Sequence, residues 1–367
     1  MSIYLNSEGL IKVFILGILG FLIALILAPV ITNFLYKNRL WKKRGKESAI
    51  DGKAIPVFLK YHSKNEVSVP RMGGLIIWIT VLFLSFFFFI ISEITNIQWL
   101  DRLNFLSRGQ TWLPLFALVV ASIIGLFDDL LQTVVISEKN RLYGLYGKIK
   151  EKLGDGLPLR YRIILVSFIG LVGGLWFYYR LGAIMISVPF VGPIFIGIFY
   201  IPLFMLVMVA TYSGGVIDGI DGLSGGTFAS IFGAYTVIAL YQQQFNLAAF
   251  SAVTMGAILA FLWFNIPPAR FYMSETGIIG LCAALTTIAF LTDSILVLPI
   301  IAFLLVISSG SVIIQLLSKK YLKKKIFLAA PIHHHFEAIG WSQAKITMRF
   351  WIVGLICAII GVTIKLI

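Results

Sequence analysis

Ten apolar stretches recur along this chain, at about 10–36, 74–92, 112–127, 161–179, 193–211, 227–241, 247–264, 277–292, 294–317 and 346–366. Most reach the ~17–25 residues that a helix needs to cross a ~30 Å hydrocarbon core. In lipid every backbone polar group must be satisfied within the chain, so such runs fold as spanning helices. The two shortest, 112–127 and 227–241, are also compatible with core helices. A 59% hydrophobic and only 13% charged chain of 367 residues, with mean hydropathy +0.95, lies far from soluble composition. The expectation is an all-α integral membrane protein with about ten transmembrane helices, residues 1–367 forming one polytopic domain. The first stretch is too long for a signal-peptide core and is read as a retained span. Cys282 and Cys357 both fall in apolar stretches, which suggests neither a disulfide nor a zinc site.

Charge orients the bundle. With ten spans the loops alternate sides, and 25 of the 30 Lys and Arg fall in the set 37–73, 128–162, 212–226, 265–276 and 317–349. By the positive-inside rule these loops are cytoplasmic and both termini lie outside. The same asymmetry, with attraction to anionic headgroups of the bilayer, accounts for the net charge of +14 without a nucleic-acid partner. Every unusual polar motif falls on that cytoplasmic side, so an active site in the cytoplasmic loops is expected.

Asp128-Asp129 ends the third stretch. Paired carboxylates at a span end would be tolerated in water, but a helix C-terminus disfavours negative charge, which a divalent cation or a proton would offset. Tyr212 to Gly226 carries Asp218, Asp221 and six glycines in fifteen residues. A loop that long and glycine-rich favours a ligand loop over a plain turn, because its N–H groups can approach phosphate or a base edge. The next cytoplasmic connection, Trp263 to Gly277, holds Asn265, Arg270, Tyr272 and Glu275, and Pro267-Pro268 stops the helix there. Val69-Pro70-Arg71-Met72-Gly73-Gly74 precedes the second span and reads by itself as a helix-entry kink. Three of the four histidines form Pro331-Ile332-His333-His334-His335-Phe336-Glu337. Consecutive side chains on a helix diverge by about 100°, so all three cannot chelate one ion in regular helix. A loop, or one active histidine with two supporting ones, is expected. The basic run Lys319 to Lys325 before it reads as headgroup binding.

In this order, these segments resemble the polyprenyl-phosphate N-acetylhexosamine-1-phosphate transferase superfamily and, within it, the phospho-N-acetylmuramoyl-pentapeptide-transferase family. The resemblance covers nearly the whole chain. Its most specific element is Pro331-Ile-His-His-His-Phe-Glu337 with Gly340-Trp341; Phe127-Asp-Asp129, Asp218-Gly-Ile-Asp-Gly-Leu223 and Phe264-Asn265 are shared more widely. Three departures stand out. The family's Phe-Met-Gly-Asp-x-Gly-Ser reads Tyr272-Met-Ser-Glu275-Thr-Gly-Ile278, so its metal-binding aspartate maps to Glu275. Its Asn-Leu-Thr becomes Gly215-Val-Ile217, and its Thr-Pro-Thr-Met-Gly-Gly becomes Val69-Pro-Arg71-Met-Gly-Gly.

The resemblance implies transfer of phospho-MurNAc-pentapeptide from UDP-MurNAc-pentapeptide to undecaprenyl phosphate, giving lipid I and UMP, in a bacterial inner (cytoplasmic) membrane. It implies Mg2+ as cofactor, held by Glu275 with Asp128 and Asp129. One of that aspartate pair would deprotonate or orient the lipid phosphate, and His333, His334 and His335 would orient phosphates. Asp218, Asp221, Asn265 and Tyr272 would form the uridine side, with Lys64 reaching phosphate. A relative using GlcNAc is the nearer alternative, and the histidine segment argues against it. A secondary transporter would carry charge near mid-membrane, and none of the apolar stretches does. Gly170 and Gly174 offer a close-packing face to another helix or to a second copy in a homodimer.

Overall fold

The protein is described by a computed structural model at residues 7–42, 67–95, 97–106, 109–134 and 156–367. Within them ten helices are long and apolar enough to cross a membrane, as the hydropathy predicts. The helices are α1 Ser7–Lys37, α2 Leu75–Ile94, α3 Gln98–Leu103, α4 Gly109–Thr133, α5 Leu159–Leu181, α6 Tyr200–Ser213, α7 Leu223–Tyr241, α8 Phe245–Asn265, α9 Ser274–Leu291, α10 Leu298–Ile301, α11 Phe303–Leu317, α12 Ile332–Ala338 and α13 Gln343–Leu366. Both stretches that looked short are extended by polar residues. Asp128 to Thr133 continue α4, and α7 starts at Leu223, inside the glycine-rich segment. The apolar run at 294–317 is divided, with α10 and α11 meeting at Ala302, which leaves the helical region (φ −97°, ψ 30°).

The fold is mostly helical, not wholly so. Between α5 and α6 the strands β1 Met185–Val188 and β2 Gly192–Phe195 form an antiparallel hairpin, Met185 opposite Phe195. Its tip turns through Phe190 and Gly192, both with positive φ. The β-branched residues flanking that turn suit extended backbone, a signal too brief to register beside the long apolar runs.

Helix α9 is the centre of the bundle: 89% of its apolar window is buried, against 28% for α1 and 22% for α5. Its sequence is rich in Gly, Ala, Ser and Thr, which let neighbouring helices approach closely in lipid. The approach to α4 is extreme. A Cβ on Gly125 would lie 2.1 Å from the Glu275 carbonyl oxygen, so only glycine fits there. This contact sets Asp128 and Asp129 beside the first turn of α9. Gly170 and Gly174 pack α5 against Met205 and Ile201 of α6 in the same chain.

Charged side chains gather at the two ends of the bundle. One end has Lys12 on Asn246 Oδ1 (2.6 Å) and the Asn104 carbonyl, and Lys365 on the Asp293 carbonyl. The other holds the acids and histidines singled out above.

Candidate active site

Asp129 is fully buried and its carboxylate is saturated. Thr276 donates its backbone N–H (2.9 Å) and its hydroxyl (2.6 Å) to Oδ2, and Arg71 Nε donates to Oδ1 at 3.2 Å. Asp128 is equally buried: the Leu157 N–H donates to Oδ1 and Gln132 Nε2 to Oδ2 at 2.9 Å. The pair is therefore not the solvated helix end its position in the sequence allows. A full turn of helix follows it, and these donors offset part of the cost of burial.

Two arginines that the sequence reading did not single out as site residues complete the cluster. Arg162, in the first turn of α5, donates to Glu275 Oε1 through Nη1, which also lies 3.9 Å from Asp128 Oδ2. Its Nε donates to the Leu157 carbonyl at 2.9 Å. Tyr212 at the end of α6 reaches Glu275 Oε2 at 3.4 Å. Burial alone would lower the Arg71 guanidinium, but Asp129, Glu275 and Asp218 more than offset it and hold its pKa above the ordinary value.

The glycine-rich segment is shorter as a loop than the sequence suggests. Gly214–Ile217 form a 3-10 turn off α6 and α7 begins at Leu223, leaving Asp218 to Gly222 between them. Asp218 accepts from the Ser224 hydroxyl (2.7 Å) and the Ser274 N–H (2.9 Å). Burial pushes its carboxyl above the usual range, against the pull of those two hydrogen bonds. Asp221 Oδ2 accepts from the Ala269 N–H at 3.0 Å, and its carbonyl takes the Thr347 hydroxyl of α13. Asn265 closes α8 and bridges two loops: Oδ1 accepts from the Gly222 N–H (3.0 Å) and Nδ2 donates to the Phe271 carbonyl (2.8 Å). The segment around Arg71 does more than start a helix. Tyr272 N–H donates to the Pro70 carbonyl and Gly73 N–H to the Tyr272 carbonyl, stitching this loop to the start of α9. Met72 and Ser274 both take positive φ to make that turn, a conformation their residue types do not announce. Tyr272 itself is half-buried at this seam.

The histidines lie on a short helix, α12, not in a loop. His335 parts from the other two, while the rings of His333 and His334 stay together, their centroids 4.4 Å apart. His333 and His334 are buried against the Asp218 loop, where a Cβ on Gly219 would come within 2.7 Å of His333 Nε2 and 3.0 Å of His334 Nε2. His334 Nδ1 lies 2.5 Å from Glu337 Oε2, and Gln343 Nε2 donates to Glu337 Oε1 at 3.0 Å. Glu337 is thus an orienting carboxylate, visible in the i,i+3 spacing only once the segment is known to be helical. His335 turns away, its Nδ1 accepting from the Leu328 N–H at 3.2 Å.

Asp128, Asp129, Asp218, Glu275, Arg71 and Arg162 therefore form one polar cluster around the first turn of α9, with His333 and His334 packed against Gly219 at its side. Asp221 and Asn265 brace its floor. Lys64 lies outside the described residues. Among the described residues no three His, Cys, Asp or Glu side chains surround one point closely enough to cage an ion. The donors are hard oxygens all the same. Four carboxyl groups, of Asp128, Asp129, Asp218 and Glu275, face two guanidiniums, an excess that a divalent cation shared with a ligand's phosphates would offset.

The pattern of Glycosyl transferase family 4 matches residues 111–293, which run from the first turn of α4 to just past the end of α9. The chain is similar at 34% identity to a protein of Anoxybacillus flavithermus, over 95% of this chain and 96% of the relative. It is similar at 34% to one of Borrelia garinii subsp. bavariensis, over 95% and 94%, and at 31% to one of Bacillus subtilis strain 168, over 95% and 96%. All three relatives are named phospho-N-acetylmuramoyl-pentapeptide-transferase.

Proposed function

The chain belongs to the phospho-N-acetylmuramoyl-pentapeptide-transferase family, and from that membership we infer that it is the multi-pass membrane enzyme transferring phospho-MurNAc-pentapeptide from UDP to undecaprenyl phosphate. The products are UMP and lipid I, for peptidoglycan synthesis. The observation that carries the reading onto this chain is the cluster at one bundle end, where carboxylates, guanidiniums and buried imidazoles from six separate segments converge. That end faces the cytoplasm of a bacterial inner membrane, with both termini outside, as the basic-residue asymmetry supports.

In the reaction an oxygen of the lipid phosphate attacks the phosphorus that carries the sugar. The bond from that phosphorus to the bridging oxygen breaks, and UMP leaves with that oxygen and its charge. Phosphoryl transfer of this kind depends on positioning and charge neutralisation. Direct attack is favoured over a phospho-enzyme because it is the simpler route and asks no carboxylate to act as nucleophile. Asp128 orients or deprotonates the lipid phosphate, and Asp129 holds Arg71 and the first turn of α9 in place. His333 and His334 contact phosphate oxygens, with Glu337 fixing the His334 ring. Tyr272 stacks on uracil, and Asp218 and Asp221 shape the loop beneath it.

Magnesium fits the donor set, because it takes one or two carboxylates and fills its remaining positions with water and substrate phosphate. Glu275 and Asp128 would hold it, and it would supply neutralisation of the diphosphate and the leaving UMP.

The test is UMP release by purified protein with undecaprenyl phosphate, comparing UDP-MurNAc-pentapeptide with UDP-GlcNAc, with magnesium and with EDTA. Release with the muramoyl substrate alone, abolished by EDTA and restored by magnesium, is expected. Release with UDP-GlcNAc alone would overturn the substrate, and full release in EDTA would overturn the metal.

A further inference from the structure

The metal reading above leaves Arg162 with a role that the reaction does not explain. Its guanidinium sits on the two carboxylates assigned to the metal, touching Glu275 Oε1 and lying 3.9 Å from Asp128 Oδ2. It is not a loose surface side chain. Nε is anchored on the Leu157 carbonyl, and the N–H of the same residue holds the other oxygen of Asp128, which closes a ring through Arg162, Leu157 and Asp128. About a quarter of the side chain remains exposed, so it can be reached from solvent.

We propose that Arg162 is the resident cation of the free enzyme, occupying Glu275 and Asp128 until a nucleotide diphosphate draws it off and a divalent cation takes its place. The inference rests on the metal reading and deepens it. A guanidinium and a metal ion are competing counter-charges for the same carboxylates, because two cations held side by side there repel each other. A diphosphate offers the guanidinium a forked partner at least as good as the carboxylates. Diphosphate and metal therefore bind with positive coupling, and by linkage each raises the other's affinity. The device keeps the carboxylates assembled without the ion. It also deters an ion from settling there before the substrate that makes it useful.

The experiment measures Mn2+ binding to the full chain in detergent by calorimetry or electron paramagnetic resonance, without nucleotide and with UDP. Thermal unfolding confirms that each variant is folded. Without nucleotide, Arg162→Gln binds Mn2+ at least about tenfold more tightly than the wild type, the order expected when a charged hydrogen-bond competitor is removed. Arg162→Lys, a point charge that cannot bridge both acids, falls between. UDP tightens Mn2+ binding by a larger factor in the wild type than in Arg162→Gln. A loss of structure could only weaken binding, so a gain separates this role from a structural one. Equal or weaker Mn2+ binding by folded Arg162→Gln, with the wild type binding in the presence of UDP, would overturn the proposal and leave the metal reading intact. A gain that survives in Arg162→Gln/Glu275→Gln would overturn it too, since the ion would then sit elsewhere. Absence of Mn2+ binding by every form, even with UDP, would remove the metal reading and this inference with it.

Discussion

Thr276 gives both of its donors, the backbone N–H and the hydroxyl, to one oxygen of Asp129, at 2.9 and 2.6 Å. The bond joins residues 147 apart in the chain and clamps the end of α4 to the first turn of α9. Thr276→Val keeps the shape and the N–H and deletes the hydroxyl. A buried carboxylate losing one of its donors costs ~1–3 kcal/mol. Thermal unfolding in detergent should show a lowered midpoint, and UMP release should fall at least about tenfold as the first turn of α9 loosens. Unchanged values of both would show that the clamp is not what positions Glu275.

Asn265 spends its side-chain amide on two backbone groups, Gly222 N–H and the Phe271 carbonyl. Asn265→Leu, close in volume, leaves both buried groups unpaired, at ~2 kcal/mol or more in total. Stability and turnover should drop together. A variant of wild-type stability with a raised KM for the nucleotide alone would instead put Asn265 in direct contact with uridine.

Gly219 faces the imidazoles of His333 and His334 with no room for a methyl group. The atoms a Cβ would meet are ring tips, which can move, so Gly219→Ala should barely change the unfolding midpoint. Displacing both rings from the positions proposed to contact phosphate should lower kcat by roughly a hundredfold, as misplacement by about an ångström does. Activity within twofold of the wild type would remove both histidines from the reacting groups.

Asp218 titrates above the usual carboxylate range because burial disfavours its charge. With the folded-state pKa raised above the unfolded one, its protonated form contributes stability below the unfolded pKa. That contribution is lost as pH rises through the folded pKa. Asp218→Asn cannot ionise, so in EDTA its unfolding midpoint should gain on the wild type as pH climbs through and above the ordinary carboxylate range. A difference that is flat with pH would mean that Asp218 is charged at no cost in the fold.

Much of this site is legible in the sequence because its motifs are dense and local. Asp128-Asp129, the Asp218 loop, Glu275 and the histidine run are each recognisable within a few residues. What escapes is of another kind. Arg162 reads as one of many basic residues on the basic side, and only its contact with Glu275, 113 residues away, separates it from the rest. Glu337 is three residues from His334, a spacing that means contact in a helix and nothing in a loop. The glycine-rich segment reads as one long loop, yet packing against α13, whose Trp351 donates to the Gly222 carbonyl, turns its last residues into helix.

By itself the sequence determined the ten spans, because burial in hydrocarbon is a property of each run of residues and needs no partner. It also determined which end of the bundle carries the charge and to which family the chemistry belongs. Only the tertiary structure decided which carboxylate meets which cation, which two histidines pack against Gly219, and that Asn265 is a brace. Those outcomes depend on helices far apart in the chain meeting at glycine contacts such as Gly125 on Glu275, and close packing of that kind is a property of pairs.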